Sequence, residues 1–224
     1  MPRVNEAEID RWRGIWVIGE TEGRELAAVT RQLLGAGAYL AERSGADLTL
    51  VLLGSGVRAA AAEAARYGAT KAFLADHESL AQYSTERYAT ILSRLVEQHR
   101  PAIVLCGATC VGRDLVPRVA ARLKTGLTAD TLELRVDDKG RFVQVCPGYG
   151  GRVLADIHCP EHRPQMATVR PNALPTPAAG PGSELEVVDV SAVAAEAVDP
   201  VSIIAREADP HAGQVNLPQA QIIV

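Results

Sequence analysis

Aromatic residues are scarce in this chain. Phe, Trp and Tyr make up 4% of its 224 residues, while apolar types together make up 47%. That is enough to bury a sizeable core, but one that relies on aliphatic packing. Positive charge is also short: 23 Lys and Arg stand against 27 Asp and Glu, a net charge of −4. No dominant basic patch follows, and nucleic acid is set aside as a partner. No apolar run approaches the roughly 20 residues of a membrane helix. The opening MPRVNEAEIDRWRG is polar and acidic and lacks the apolar segment of a signal peptide. The expectation is a cytoplasmic chain.

Several chemical signatures are missing too. Cys106, Cys110, Cys146 and Cys159 fit no CxxC or zinc-ribbon spacing, and free thiols are expected in a reducing compartment. His158, Cys159 and His162, with Cys146 nearby in sequence, match no standard zinc pattern, so they are read as strand and loop residues rather than metal ligands. Neither GxGxxG nor GxxxxGK[ST] occurs, and the glycines of LLGSGVRAA (52–60) read as a simple turn. No Ser/His/Asp arrangement or catalytic carboxylate pair stands out. No catalytic residue is assigned, and the chain does not read as a hydrolase.

What is present is an alternation. IWVIGE (15–20), DLTLVLLG (47–54), KAFLAD (71–76) and AIVLCG (102–107) are strand-like apolar runs, the second of the kind covered on both faces. Between them lie helical patterns over 24–43, 57–67 and 84–100. Gly68 is placed to end the second, and Ser84 to open the third before Pro101 stops it. A fourth helix is expected from Arg113 to Leu123. This order predicts an α/β fold with a parallel sheet and right-handed crossovers.

The second half changes character. DTLELRVDDKGRFVQVC (130–146) reads as two alternating strands joined at Asp138-Lys139-Gly140. RVLADIHC (152–159) and QMATVRP (165–171) are further strand candidates. NALPTPAAGPGS (172–183) reads as an extended surface segment, and ELEVVDV (184–190) as a late strand able to extend the sheet edge.

The most informative stretch is CGATCVGRDLVPRVAARLKTGLTAD (106–130). Gly107, Ala108 and Thr109 keep side chains small where the backbone leaves a strand, the usual place for a ligand in an α/β sheet. Gly112 permits close approach. Asp114 is suited to cap the first turn of the following helix, with Arg113 beside it. Helix capping and a functional role both remain open on these residues alone.

The block resembles the GAT-x-x-GRDLAPRVAARL-x-TGLTAD signature of the electron transfer flavoprotein α subunit. IWVIGETEGRELAAVTRQLLGAGAYLAE, ARYGATKAFLADHESLAQYSTERYATIL and PQMATVRP agree with the family in order, so the resemblance runs from about Gly14 to Pro171. It implies a Rossmann-like, adenine nucleotide α hydrolase-like domain. This is a three-layer α/β/α parallel sheet with additional antiparallel strands, spanning residues 1–190. It also implies that 191–224 are a linker and the first strand, QAQIIV, of a truncated FAD-binding domain.

The resemblance implies a function as well. It points to an electron carrier subunit rather than an enzyme, paired with a β subunit. FAD would be held in the heterodimer, its main α-subunit site lying in the missing domain. Donors would be acyl-CoA or other dehydrogenases, and the acceptor a quinone oxidoreductase or similar protein. Thr109, Arg113, Asp114 and Arg170 are expected at the partner interface. Bifurcating members, the branch this sequence most resembles, show RPAFGGN where this chain has CPGYGGR (146–152). Cys146 thus replaces an Arg and Arg152 an Asn. Tyr149 and Arg152 are the residues expected near a partner-held flavin. Two other readings stay open: a cofactor-free docking scaffold, and an adenine-nucleotide-binding module of the kind this domain class often forms at a sheet switch point.

Overall fold

The computed structural model of the chain describes residues 6–197, 199–205 and 207. After a short helix α1 (Glu6–Ile9), strand β1 (Ile15–Gly19) leads into a small hairpin, β2 (Thr21–Glu22) and β3 (Glu25–Leu26). Helix α2 (Ala28–Ser44), β4 (Leu48–Gly54), α3 (Arg58–Glu63), β5 (Lys71–Asp76), α4 (Thr85–His99), β6 (Ile103–Gly107) and α5 (Cys110–Leu123) follow. The alternation read from the sequence is therefore present. Gly68 adopts the left-handed φ of 93° that ends the α3 region.

Seven strands form one parallel sheet. Its members from the second half include β7 (Leu127–Thr131) and β11 (Gln165–Val169). With β12 (Glu186–Asp189), the order is β12-β5-β4-β1-β6-β11-β7. The late strand does extend the sheet edge, pairing with β5. A separate antiparallel sheet is built from β8 (Glu133–Val136), β9 (Phe142–Gly148) and β10 (Val153–Ile157). The expected hairpin at 138–140 joins β8 to β9.

Strand alternation divides the core. Ile15, Val17, Leu48, Leu50 and Leu52 pack with α2 and α3 on one face. Trp16, Ile18, Val51 and Leu53 pack with α4, α5 and α6 (Ser191–Glu196) on the other. This is the three-layer α/β/α arrangement, and it explains why β4 reads as a continuous apolar run. The 172–183 segment has no regular structure and is tied to α2 by Gln32, which exchanges hydrogen bonds with Asn172 at 3.2 and 3.1 Å. No helix among the described residues is long and apolar enough to cross a membrane.

Some boundaries differ from the sequence reading. The helix expected from residue 24 begins at Ala28. Leu26, which fits the helical spacing, belongs to β3, where its N–H donates to Glu63 at 3.0 Å. The strand expected over 130–136 is two strands in different sheets, parting at Leu132. The QAQIIV expectation falls on residues 219–224, outside the described residues.

Gln144 on β9 is fully buried, yet neither its amide nitrogen nor its oxygen has a hydrogen-bond partner among the described residues. Its cross-strand neighbours are Leu134 and Ile157, so nothing beside it on the ladder offers a polar partner. An unsatisfied buried amide costs about 1–3 kcal/mol. Gln144→Met keeps the length and removes the polar group. It is expected to raise unfolding stability by about 1 kcal/mol, read as a higher urea midpoint at constant slope. A lower midpoint would mean that the amide has a partner, such as an ordered water.

Candidate functional site

In the sheet, the chain steps from β1 outward to β4 and β5, then returns across β1 to β6. The carboxyl ends of β1 and β6 therefore flank the switch point where ligands of α/β sheets bind. Glu20 follows β1 and Thr109 follows β6, and the two meet there. The Thr109 hydroxyl donates to Glu20 Oε1 at 2.7 Å and accepts from the Gly112 N–H at 3.0 Å. Thr109 is thus the N-cap of α5.

This corrects the role expected for Asp114. Helix α5 begins at Cys110, not Arg113, so Asp114 lies beyond the first turn and caps nothing. Its carboxylate instead accepts from Tyr83 and Thr85, both at 2.5 Å, and joins α5 to the start of α4. Those two hydrogen bonds hold its pKa below the usual value.

The two arginines converge elsewhere. Arg170, just after β11, donates to Asp130 at 2.6 and 3.3 Å, and Arg113 reaches the same carboxylate at 3.2 Å. The Arg113 Nε also holds the Ala108 carbonyl at 2.8 Å. Asp130 sits at a left-handed φ of 59° near the end of β7. The Arg170 hydrogen bond, partly opposed by burial, lowers its pKa. Cys146, on β9, lies beside this cluster: its thiol donates to the Ala129 carbonyl at 3.4 Å. Burial and then the Asp130 charge push that thiol's pKa up.

Tyr149 and Arg152 lie apart from the cluster, in the turn between β9 and β10. Tyr149 is 89% exposed, and no hydrogen bond or ion pair among the described residues joins Arg152 to the cluster. The adjoining Val153 and Leu154 are also exposed, so this corner presents an apolar surface with one cation.

Sequence reasoning missed Glu20 and Asp130. Glu20 had a visible signal, since it is the polar residue closing the apolar run IWVIGE. Burial raises its pKa above the usual 4.5, an effect that the Thr109 hydrogen bond opposes and the charge of Glu22 reinforces. In the unfolded chain Glu20 ionises at the ordinary value, while in the fold it holds its proton to higher pH. Stability is therefore highest at low pH as far as this group is concerned, and it falls as pH rises from the ordinary to the raised value. Glu20→Gln removes that loss. Its melting temperature should exceed the parent's at pH 7, and the gap should close below about pH 4. A gap independent of pH would show that ionisation of Glu20 is not the cause.

The hollow at the switch point is small. It measures about 160 Å³ and is lined by Glu20, Tyr83, Tyr88 and Cys106, among others. The Gly-Ser-Gly turn after β4 does not offer a free phosphate cradle either, because the Gly56 N–H already donates to Asp76 at 2.6 Å. A half-buried acidic group in the floor and an occupied turn suit neither a phosphate nor a dinucleotide.

The chain's relatives are consistent with one another. Residues 15–195 match the family model of the electron transfer flavoprotein domain. The electron transfer flavoprotein subunit alpha of Clostridium acetobutylicum is 45% identical over 169 residues, covering 75% of this chain and 49% of its own length. Protein FixB of Rhizobium meliloti is 42% identical over 170 residues, covering 74% of this chain and 48% of its own. The acryloyl-CoA reductase electron transfer subunit beta of Anaerotignum propionicum is 37% identical over 193 residues, covering 76% and 53%. The chain spans about half the length of the curated relatives it matches.

Proposed function

The chain belongs to the electron transfer flavoprotein family, and from that premise we propose that it works as the α subunit of a heterodimeric electron carrier. Its partner is a β subunit, its donors are acyl-CoA or other dehydrogenases, and its acceptor is a quinone oxidoreductase or similar protein. Bound FAD supplies the electron chemistry, while protein residues supply position and electrostatics. The switch-point residues of this chain do not themselves fit an FAD site, for the reasons of size, charge and turn occupancy given above. The flavin then belongs to the assembled heterodimer, and this domain contributes surfaces to it.

The observation that carries this reading is the carboxyl face. Its central crevice is closed internally by Thr109 and Glu20, while Arg113 and Arg170 remain exposed around Asp130. Thr109 supports that face from within, and Arg113, Arg170 and Asp114 are proposed to meet the partner. Tyr149 and Arg152 are proposed to face the flavin it holds. The same geometry disfavours the nucleotide module, because Glu20 occupies the floor where a phosphate would sit. The scaffold reading predicts assembly without flavin.

Co-expression with an electron transfer flavoprotein β subunit tests the proposal. One size-exclusion peak carrying flavin absorbance is expected, with the interface burying more than about 1,200 Å². Two colourless peaks at micromolar concentration would overturn it, and one colourless peak would favour the scaffold. In a flavin-bearing complex, Arg152→Ala should shift the potential of one flavin. Unchanged potentials would remove Arg152 from the cofactor's surroundings.

A further inference from the structure

The opposite end of the sheet holds a larger cavity, of about 470 Å³, at the amino ends of β1, β6 and β11. That size falls within the roughly 300–1,000 Å³ of small-molecule sites. Trp12, Val136 and Phe142 supply apolar wall, and the charged residues lining it are Arg13, Asp47 and Arg163. Their charges sum to +1.

Arg163 is the unusual member. It is half-buried and has no carboxylate partner among the described residues. Its Nη1 donates to the main-chain carbonyls of Cys159 and His162, at 3.1 and 2.8 Å. Burial lowers its pKa, so the guanidinium is incompletely compensated where it stands. Arg31 and Arg122, comparably enclosed, both rest on glutamates. A guanidinium with unused donors, beside an apolar wall, favours an anion that is itself partly apolar. The net charge of +1 matches a monoanion better than a phosphate dianion.

We propose that this amino-end cavity binds a small organic monocarboxylate with a compact aromatic or branched body, its carboxylate held by Arg163 with Arg13 at the rim. The site lies across the sheet from the carboxyl face and does not depend on the flavoprotein reading.

The test uses the full chain with 3-phenylpropionate, its neutral analogue 3-phenylpropionamide, and inorganic phosphate. Binding is followed by calorimetry and by tryptophan fluorescence, since Trp12 lines the cavity. Saturable binding of the acid is expected, with the amide weaker by at least about tenfold and phosphate not competing. Arg163→Gln should weaken the acid about tenfold and leave the amide unchanged. Ala46→Phe, which fills the cavity, should abolish binding with unchanged circular dichroism, and it decides the matter should Arg163→Gln fail to fold. Three results overturn the proposal: no saturation of the acid below about 10 mM, equal affinity for acid and amide, or full affinity in the Ala46→Phe variant.

Discussion

Replacing Gly112 with alanine is expected to destabilise the domain by about 3 kcal/mol or more. A Cβ on Gly112 would lie 1.8 Å from the Gly107 carbonyl oxygen and 3.1 Å from Cys106 Sγ. The first of these atoms is backbone at the end of β6, with no rotamer to relieve the clash. Gly107 is paired with Val169 of β11, and the next N–H, of Ala108, donates to the Val169 carbonyl at 2.7 Å. The strand cannot withdraw without breaking the sheet, so α5 would have to lift. Lifting it would strain the Gly112 N–H bond to Thr109 and disturb the contact of Thr109 with Glu20. The sign is the informative part. In an open helix interior, Gly→Ala stabilises by about 1 kcal/mol, so a loss reports contact rather than propensity. Urea denaturation of the variant measures it. Equal or greater stability would mean that α5 does not sit this closely on β6.

The close approach at Gly112 was legible in the GAT…GRD spacing, because small residues flanking a strand end have few other uses. The parallel strands were legible too, since both faces of Leu48–Gly54 are buried and no polar residue interrupts Leu50–Leu53. β7 was not. Its buried residues are Thr128 and Thr131, which carry no apolar signal. The Thr131 hydroxyl donates to the Thr168 carbonyl at 3.0 Å, and the Thr168 hydroxyl accepts from the Asp130 N–H at 3.0 Å. Polar groups satisfied by the neighbouring strand replace hydrophobic patterning there. The Arg113–Asp130–Arg170 cluster was hidden for the same reason. Its three members come from different elements, and a strand misread across Leu132 puts Asp130 in the wrong sheet. Thr109 was recognised as a small residue but not as the cap, because Asp114 offered the stronger local signal.

The variant carrying both Arg113→Ala and Arg170→Ala is expected to bind a β subunit about a hundredfold more weakly than the parent, with the melting temperature nearly unchanged. The fold should tolerate the change because these are surface ion pairs. The two arginine side chains are 61% and 46% exposed, and exposed pairs contribute little to stability. The face would not tolerate it. Asp130 is held ionised first by the Arg170 hydrogen bond and then by the charges of both arginines. Removing both turns a cluster of net +1 into an uncompensated carboxylate of −1. A partner selected for the first potential meets the reverse, which slows encounter and speeds dissociation. Asp130→Asn is the control, because it keeps both guanidiniums and raises the cluster to +2. Its association rate should rise at low salt and converge on the parent's as ionic strength screens the face. Surface plasmon resonance across a salt series distinguishes these outcomes. A dissociation constant unchanged in the double variant would take this cluster out of the interface. The exposed Tyr149, Val153 and Leu154 corner would then be the next surface to test for the partner.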